Sequence, residues 1–147
     1  RARDIMADLR PPVLDDYGLM AALRWHAERL QRRTGLSVTL RGKEPEPRLP
    51  GPVEIALVRI AQEALMNVAM HAGTDEAWIT LETGERTARL TIVDKGIGFD
   101  PDEAREPGER EGWGLVSIAE RAEAVGGHSF IDSQPGQGTR VTVEVPR

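Results

Sequence analysis

An aspartate followed by two spaced glycines, residues 94–98 (DKGIG), comes directly after the apolar, β-prone segment 90–93. That segment predicts a strand, and the glycines predict a sharp turn where the chain leaves the sheet. Upstream, the long helical segment 53–71 carries Glu63 and Asn67 four residues apart, which places both on one side of a helix. A carboxylate at a strand end and a polar row on a helix predict a cleft between a sheet and a helical layer. Together the two motifs indicate a nucleotide pocket that has no phosphate-gripping lysine loop.

The bulk composition narrows the functions that need to be considered. The chain has 147 residues, a formal net charge of −5 and no cysteine. Phosphate backbones favour a basic partner, so we expect no nucleic acid partner. The lack of cysteine removes disulfides, thiolate zinc sites and cysteine nucleophiles. The absence of cysteine also fits a reducing compartment, so we expect a cytoplasmic domain. No segment approaches the run of about 20 apolar residues that spans a bilayer, so we expect no direct membrane contact by this domain.

Hydrophobic periodicity predicts the elements of the fold. The predicted helices run from about 15 to 34, from about 52 to 71 and from 114 to 125, with Asp15 or Asp16 capping the first. The predicted strands lie near 36–40, 77–81, 90–93, 129–132 and 140–145, the second and third as a hairpin. The proline-rich segment 41–52 predicts a connector, and 101–112 predicts a polar loop. This order predicts an α/β (α+β) two-layer sandwich, with a mixed, mostly antiparallel sheet covered on one face by about three helices.

The helix 53–71 carries a polar row at the edge of its apolar face. Glu63, Asn67 and His71 recur every four residues and therefore align along the helix. The neutral amide oxygen of Asn67 suits a hard cation such as Mg²⁺, and Glu63 could orient or deprotonate a metal-bound water. The alternative is a solvated polar edge with a histidine at the helix end, and this row alone does not separate the two.

Asp94 lies where a strand is predicted to leave the sheet. A carboxylate at that position can accept a hydrogen bond from the exocyclic amine of adenine, a donor that guanine lacks there. Gly96 and Gly98 would let the backbone approach a ligand closely. Taken by itself, the pattern is more often an ordinary turn than a binding site.

A further pair of glycines, Gly112 and Gly114, precedes Leu115 at the start of the third predicted helix. Backbone N–H groups at a helix N-terminus can bind an anion without any basic side chain. A flexible hinge is the alternative. The four glycines bracket the polar loop, and with Glu63, Asn67 and Asp94 they outline one pocket for base, metal and phosphates.

These motifs are similar to those of the catalytic ATP-binding domain of bacterial sensor histidine kinases, in the superfamily shared with gyrase, the Hsp90 chaperones and MutL. The run 63–72 (EALMNVAMHA) resembles the N box, 94–99 (DKGIGF) the first glycine box, and 112–115 (GWGL) the second. The runs 9–19, 59–65 and 117–127 resemble the nitrate-sensor-like subfamily. The resemblance covers nearly the whole chain and implies the Bergerat ATP-binding fold.

The resemblance also implies roles for individual residues. Asn67 would ligate Mg²⁺ and Asp94 would select adenine, with Thr139 assisting through water. Glu63 would organise the metal or a water, and His71 would lie near the phosphates. The remaining ATP-binding positions would belong to the two glycine boxes: Gly96, Gly98, Phe99, Gly112, Gly114 and Leu115.

The resemblance implies partners that lie outside this chain. ATP with Mg²⁺ would donate its γ-phosphoryl to a histidine on a dimerisation domain, normally encoded before residue 1, for onward transfer to a response regulator. Residues 1–14 would then be the end of a dimerisation helix or a linker, and 15–147 the catalytic domain. The full-length protein would be a homodimer, with or without a membrane anchor.

Two residues depart from the family pattern, and three other functions compete. Met70 occupies a position that is often basic, and Lys95 replaces the usual acidic or amide residue, which makes Lys95 a candidate source of positive charge at the phosphates. The competing functions are a gyrase-type ATP hydrolase with Glu63 as general base, a serine kinase resembling anti-sigma factors, and a degenerate pocket acting as an interaction module. The segment 9–19 has no clear place in an anti-sigma kinase.

Overall fold

The computed structural model describes residues 16–100 and 115–147. Three helices lie in these ranges: α1 (Leu19–Thr34), α2 (Gly51–His71) and α3 (Leu115–Ala124). The strands are β1 (Ser37–Gly42), β2 (Glu76–Thr83), β3 (Thr87–Asp94), β4 (His128–Ser133) and β5 (Thr139–Pro146). The predicted cap residue Asp15, the predicted segment 1–14 and the predicted loop 101–112 lie outside the described residues.

The strands form one five-stranded sheet in the order β1-β2-β3-β5-β4. Only β1 and β2 pair in parallel, and the other three neighbouring pairs are antiparallel. β2 and β3 form the predicted hairpin. The mixed, mostly antiparallel sheet that the sequence predicts is therefore confirmed.

The core lies between the inner face of this sheet and the three helices. In β3, the alternating residues Ala88, Leu90, Ile92 and Asp94 are buried, and the residues between them are more exposed. Because strand side chains alternate between faces, one set packs against helices while the other faces outward. All three helices contact the sheet, which confirms the predicted two-layer sandwich.

The start of α1 differs from the prediction. Its N-cap is Gly18, with φ of 93°, and no cap side chain bonds to the helix. The carboxylate of Glu44, from the connector after β1, instead accepts a hydrogen bond from the Met20 N–H at 2.8 Å. Asp16 lies two residues before the cap, so its predicted capping role is wrong. The free N–H group at the start of α1 is therefore bonded by a side chain from a distant part of the chain, where a local cap residue would normally accept this hydrogen bond.

The second helix follows the sequence expectation closely. Pro52 occupies the first turn of α2, where its missing N–H costs no helical hydrogen bond. Within the described residues, no helix combines the length and apolar character needed to cross a bilayer.

Candidate nucleotide-binding site

A narrow cleft opens between the C-terminal half of α2 and the inner face of the sheet. Its walls combine apolar side chains from both layers with a few polar groups at strand and helix ends. The lining residues are Ala64, Asn67, Val68, Ile92, Asp94, Phe99, Leu115, Thr139 and Val141. The structure therefore brings five of the predicted site residues into one cleft: Asn67, Asp94, Phe99, Leu115 and Thr139.

Asp94 is the charged side chain among the described residues that line this cleft. It is the last residue of β3, is only 5% exposed, and its Oδ1 accepts a hydrogen bond from the Gly96 N–H at 2.8 Å. Burial raises the pKa of the Asp94 carboxyl above its ordinary value, and hydrogen bonds from the Gly96 and Thr139 backbone partly offset that rise. Backbone N–H groups thus hold this buried carboxylate in place, and no cation of residues 16–100 and 115–147 forms an ion pair with it.

The glycines after Asp94 are required by contacts within the protein. A side chain at Gly96 would run into the backbone carbonyl of Ala72, the residue that follows α2. Gly98 has φ of 64°, and a side chain there would meet the carbonyl of Gln134. We expected these glycines to allow close approach to a ligand, but their most direct role is to let the turn after β3 pack between two backbone segments.

Ser133 is a polar residue of this region that the sequence analysis missed. Its hydroxyl accepts a hydrogen bond from the Phe99 N–H at 2.9 Å and donates one to the Gly138 carbonyl at 2.9 Å. It also lies 2.8 Å from the Thr139 hydroxyl. Ser133 therefore joins the turn after β3 to the β4–β5 turn. Strand alternation could have indicated it, because an inward-facing serine at a strand end needs partners.

The row on α2 divides into residues inside and outside the cleft. Asn67 lines it, whereas Glu63, one turn earlier, is absent from the walls. The Glu63 carboxylate instead accepts a long hydrogen bond, 3.5 Å, from the Ser117 hydroxyl of α3. Arg121 in turn donates a hydrogen bond to that hydroxyl at 3.2 Å. His71 is exposed at the end of α2. Of the predicted row, Asn67 is the member that lines the cleft as the described residues form it; the roles predicted for Glu63 and His71 stay predictions.

The groups available for a cation are few. Across residues 16–100 and 115–147, no three His, Asp or Glu side chains converge in a way that could hold a metal. The Asn67 amide is an oxygen donor of the type that Mg²⁺ accepts while keeping several waters. A divalent cation here would thus rely on Asn67, water and the oxygens of its own ligand.

The two residues that depart from the family pattern contribute no charge to the cleft. Lys95 places its Nζ over the Trp78 ring, 5.1 Å from the ring centroid. Trp78 alternates with the buried Ala77 and Ile79, so it lies on the opposite face of the sheet from the cleft. This position does not support the idea that Lys95 supplies positive charge at the phosphates. Met70 is 66% exposed on α2.

A roomier groove of about 190 Å³ lies between α1 and α2, away from the predicted nucleotide residues. Its lining includes His26, Arg29 and Arg33 from α1. The Gln62 amide lies 3.0 Å from Nδ1 of His26, which is 8% exposed. This satisfied, buried histidine belongs to the packing between α1 and α2.

The part of the chain that forms the cleft matches a known protein family. The family described as "Histidine kinase-, DNA gyrase B-, and HSP90-like ATPase" matches residues 53–147. The chain belongs to this family. That match covers α2, the strand ending at Asp94 and both turns around the cleft, so the chain is an ATP-binding catalytic domain of the histidine kinase type.

Curated relatives are sensor histidine kinases. The chain is 36% identical to an uncharacterized sensor-like histidine kinase of Chloroflexus aurantiacus, covering 98% of this chain and 25% of that protein. It is 35% identical to the oxygen sensor histidine kinase NreB of Staphylococcus carnosus, covering 98% of this chain and 41% of NreB. For the histidine-protein kinase/phosphatase DegS of Brevibacillus brevis the identity is 34%, over 98% of this chain and 36% of DegS. The chain thus spans less than half of each relative.

Solved structures share the fold. The blue-light activated histidine kinase of Erythrobacter litoralis EL346 aligns with a TM-score of 0.72 at 18% identity, over 87% of this chain and 41% of that one. The mycobacterial sensor histidine kinase MprB aligns with a TM-score of 0.60 at 23% identity, over 85% of this chain and 91% of that one. At these identities the matches establish the architecture.

Two predicted ATP-binding residues, Gly112 and Gly114, lie outside the described residues. The structure therefore places the first glycine box and the N box but gives no geometry for the first three residues of the second glycine box. Only Leu115 of that box is described, as the buried first residue of α3.

Proposed function

We propose that the cleft binds Mg·ATP and positions its γ-phosphoryl for transfer to a histidine supplied by another segment of the kinase. The observation that carries the proposal is the joint presence of Asn67 and the buried Asp94 in one cleft with apolar walls. Phosphoryl transfer depends mainly on positioning and on neutralisation of charge, so a domain that holds the nucleotide supplies much of what the reaction needs.

Asp94 would recognise the base. Its carboxylate is oriented by the Gly96 N–H, while Ile92 and Val141 supply apolar surface beside it. An adenine amine could donate to the carboxylate, whereas guanine would present a carbonyl oxygen and leave a buried charge facing an acceptor. This arrangement favours adenine over guanine.

Asn67 would mark the phosphate end of the cleft. A magnesium ion bound there would neutralise phosphate charge during transfer. The side chain itself would contribute an uncharged oxygen ligand and keep the triphosphate at the C-terminal end of α2. His71, four residues further along the helix, would lie on the same side and contact the phosphates or their waters.

The phosphoacceptor would approach from the exposed side of α2. Met66 and Met70, which flank Asn67 along the helix, are 36% and 66% exposed. Exposed methionines give adaptable apolar contacts for a partner helix. We therefore propose that a dimerisation domain carrying the acceptor histidine, absent from this chain, docks at this end, and that a response regulator receives the phosphoryl group afterwards.

The position of Glu63 favours transfer over hydrolysis. A general base for water would need hydrogen-bonding reach of the attacking water near the γ-phosphate. Glu63 instead contacts Ser117 on α3 and does not line the cleft. Phosphate release from the isolated chain should accordingly be slow, which distinguishes this proposal from a gyrase-type hydrolase.

The test combines calorimetry with a phosphotransfer assay. Wild type should bind Mg·ATP and not Mg·GTP, and Asp94→Asn and Asn67→Asp should both lose transfer to an added dimerisation fragment. Asp132→Asn, an exposed residue of β4, is the matched control and should behave as wild type. Wild-type transfer rates in both site variants would refute the proposal, and equal binding of ATP and GTP would refute the role of Asp94.

A further inference from the structure

The outer face of the sheet, opposite α1, α2 and α3, carries an unusual set of side chains. The outward positions of β2 and β3 include Trp78, Thr80, Thr91 and Val93, all only partly exposed. Phe130 of β4 is 56% exposed. An uncovered sheet face is normally polar, so a tryptophan, a phenylalanine and a valine together call for an explanation.

Three cations surround the tryptophan. Lys95 lies over the Trp78 ring. Trp78 pairs with Val93, which pairs with Arg140 on the next strand, so Arg140 occupies the same cross-strand row. Arg41 of β1 lies beside Thr80, one outward position along from Trp78. We call Arg41, Trp78, Lys95 and Arg140 the Trp78 cluster.

The Trp78 cluster is positively charged, whereas the chain as a whole has a net negative charge. The concavity above it, about 370 Å³, is lined by the three cations and by a single carboxylate, Glu82. Among residues 16–100 and 115–147, none of these three cations takes part in an ion pair. Further along the same face, Arg89 is neutralised by Glu144 at 2.9 Å. In the part of the chain that the structure describes, the cluster therefore keeps positive charge without an ion-pair partner, although the net charge of the chain is −5.

This concavity continues into a second one. A space of about 410 Å³ at the ends of β3, β4 and β5 shares Val93, Lys95 and Arg140 with the first, but it is also lined by Asp94, Thr139 and the carboxylate of Asp132. Only the first concavity is separate from the residues of the nucleotide cleft. A surface that crosses several strands and combines an aromatic side chain with guanidinium groups has the composition of a protein-binding centre. Cross-strand packing of Trp78 on Val93 explains an aromatic residue here but not the accompanying unpaired cations.

We propose that the Trp78 cluster is a docking surface for an acidic peptide segment of a partner protein, with an apolar side chain of that segment packed on Trp78. Charge complementarity selects this occupant: carboxylates would meet Arg41, Lys95 and Arg140. A nucleic acid is disfavoured because the remaining negative charge of the chain would repel a long phosphate backbone. This inference goes beyond the proposed function and does not depend on it.

The docking surface and the nucleotide cleft lie on opposite faces of the sheet. Lys95 follows Asp94 directly, and Arg140 follows Thr139, yet each pair points in opposite directions because strand side chains alternate. The acidic segment and Mg·ATP should therefore bind together without competing. Asp94→Asn should lose nucleotide binding and keep peptide binding, which separates failure of this inference from failure of the proposed function.

The experiment uses the chain and a synthetic probe, a short peptide of glutamates around one central phenylalanine. Two-dimensional amide NMR should show shifts at the Trp78 indole N–H and at the Lys95 and Arg140 amides. The double variant Lys95→Glu with Arg140→Glu should weaken binding about tenfold. The matched control makes the same charge change on α1, Arg24→Glu with Arg32→Glu, both exposed, and should bind nearly as wild type.

Two further measurements separate charge from packing. Raising the ionic strength should weaken binding to wild type, and this dependence should flatten in the Lys95/Arg140 variant. Trp78→Thr should lower affinity while leaving the salt dependence unchanged. If the charge-reversed variant fails to fold, Lys95→Gln with Arg140→Gln replaces it, with Arg24→Gln and Arg32→Gln as control.

Three results would overturn the proposal. The first is absence of peptide binding at low ionic strength. The second is equal weakening by the α1 control variant, because the attraction would then be non-specific. The third is binding of a short oligonucleotide or of anionic lipid vesicles to the same residues at least as tightly as the peptide, because the partner would then not be an acidic protein segment.

Discussion

The inner and outer faces of the sheet handle charge in opposite ways, although the residues involved are sequence neighbours. On the inner face Asp94 is 5% exposed and is held by backbone N–H groups. On the outer face Lys95 is exposed and rests on the Trp78 ring. Buried charge requires hydrogen bonds in fixed positions, whereas exposed charge is stabilised by water. Substitutions on the inner face should therefore lower the free energy of unfolding more than substitutions on the outer face.

The largest effect is expected at the turn behind the cleft. Gly96→Ala should destabilise the chain by about 2–4 kcal/mol, because a Cβ would collide with the Ala72 backbone, which cannot easily move. Gly51→Ala is the matched control, since nothing lies within 4 Å of a Cβ there. Chemical denaturation measures both. A loss at Gly96 no larger than at Gly51 would mean that the turn does not pack against α2 as described.

The pH dependence of Asp94→Asn sharpens the comparison. The pKa of Asp94 is raised in the folded chain, so the folded state binds its proton more tightly than the unfolded state. Ionisation of this group therefore opposes folding, and the cost in stability builds as the pH rises from the ordinary pKa of aspartate to the raised pKa of the folded chain. The stability of Asp94→Asn relative to wild type should be more favourable at neutral pH than in acid.

Thermal melting of Asp94→Asn and wild type from acidic to neutral pH tests the sign of this change in relative stability. Ser37→Ala, at an exposed position of β1, removes no titratable group, so it serves as control and its relative stability should not change with pH. A relative stability of Asp94→Asn that falls as the pH rises would contradict the burial-driven shift.

A smaller effect is expected at Ser133. Ser133→Ala should cost about 1–2 kcal/mol, because the Phe99 N–H loses its acceptor and the Gly138 carbonyl loses a donor in a buried setting. Ser37→Ala, at an exposed strand position, should be nearly neutral. If nucleotide affinity also falls in Ser133→Ala, the two turns joined by this hydroxyl contribute to the shape of the cleft.

The smallest effect is expected on the outer face. Arg89 and Glu144 form an ion pair whose side chains are 53% and 36% exposed. Solvent screens such a pair, so its coupling should not exceed about 0.5 kcal/mol. A double-mutant cycle with Arg89→Ala and Glu144→Ala measures this coupling. A value comparable to the effect at Ser133 would remove the contrast between the two faces.

Much of the fold was predictable because its signals are local. The apolar stripes of α1 and α2 and the alternation in β2 and β3 gave the element types, and Pro52 indicated the start of α2 within a residue. The capping of α1 was not predictable, since Glu44 is 24 residues from Met20. Local capping preferences pointed to Asp16, but the connector after β1 brings a carboxylate to the helix from elsewhere.

In the candidate site, too, the residues themselves were predictable but the directions of some side chains were not. Asn67, Asp94, Phe99, Leu115 and Thr139 were predicted and share one cleft. Whether each binds nucleotide stays a prediction for the variants above to test. The sequence could not give the directions of Glu63 and Lys95, because a helical row or a neighbouring charge does not reveal where a side chain points: Glu63 lies beside Ser117 of α3, and Lys95 lies on the outer face of the sheet. The role predicted for Glu63 stays a prediction.

The sequence by itself determined the periodicities, the glycine-containing turns and the motif order that mark the ATPase family, since each depends on residues a few positions apart. Only the tertiary structure decided which groups satisfy one another across the chain: Ser133 with Phe99, Glu44 with Met20, and Lys95 with Trp78. Such contacts join residues far apart in sequence, and their geometry follows from how the sheet and helices pack, which no local pattern encodes.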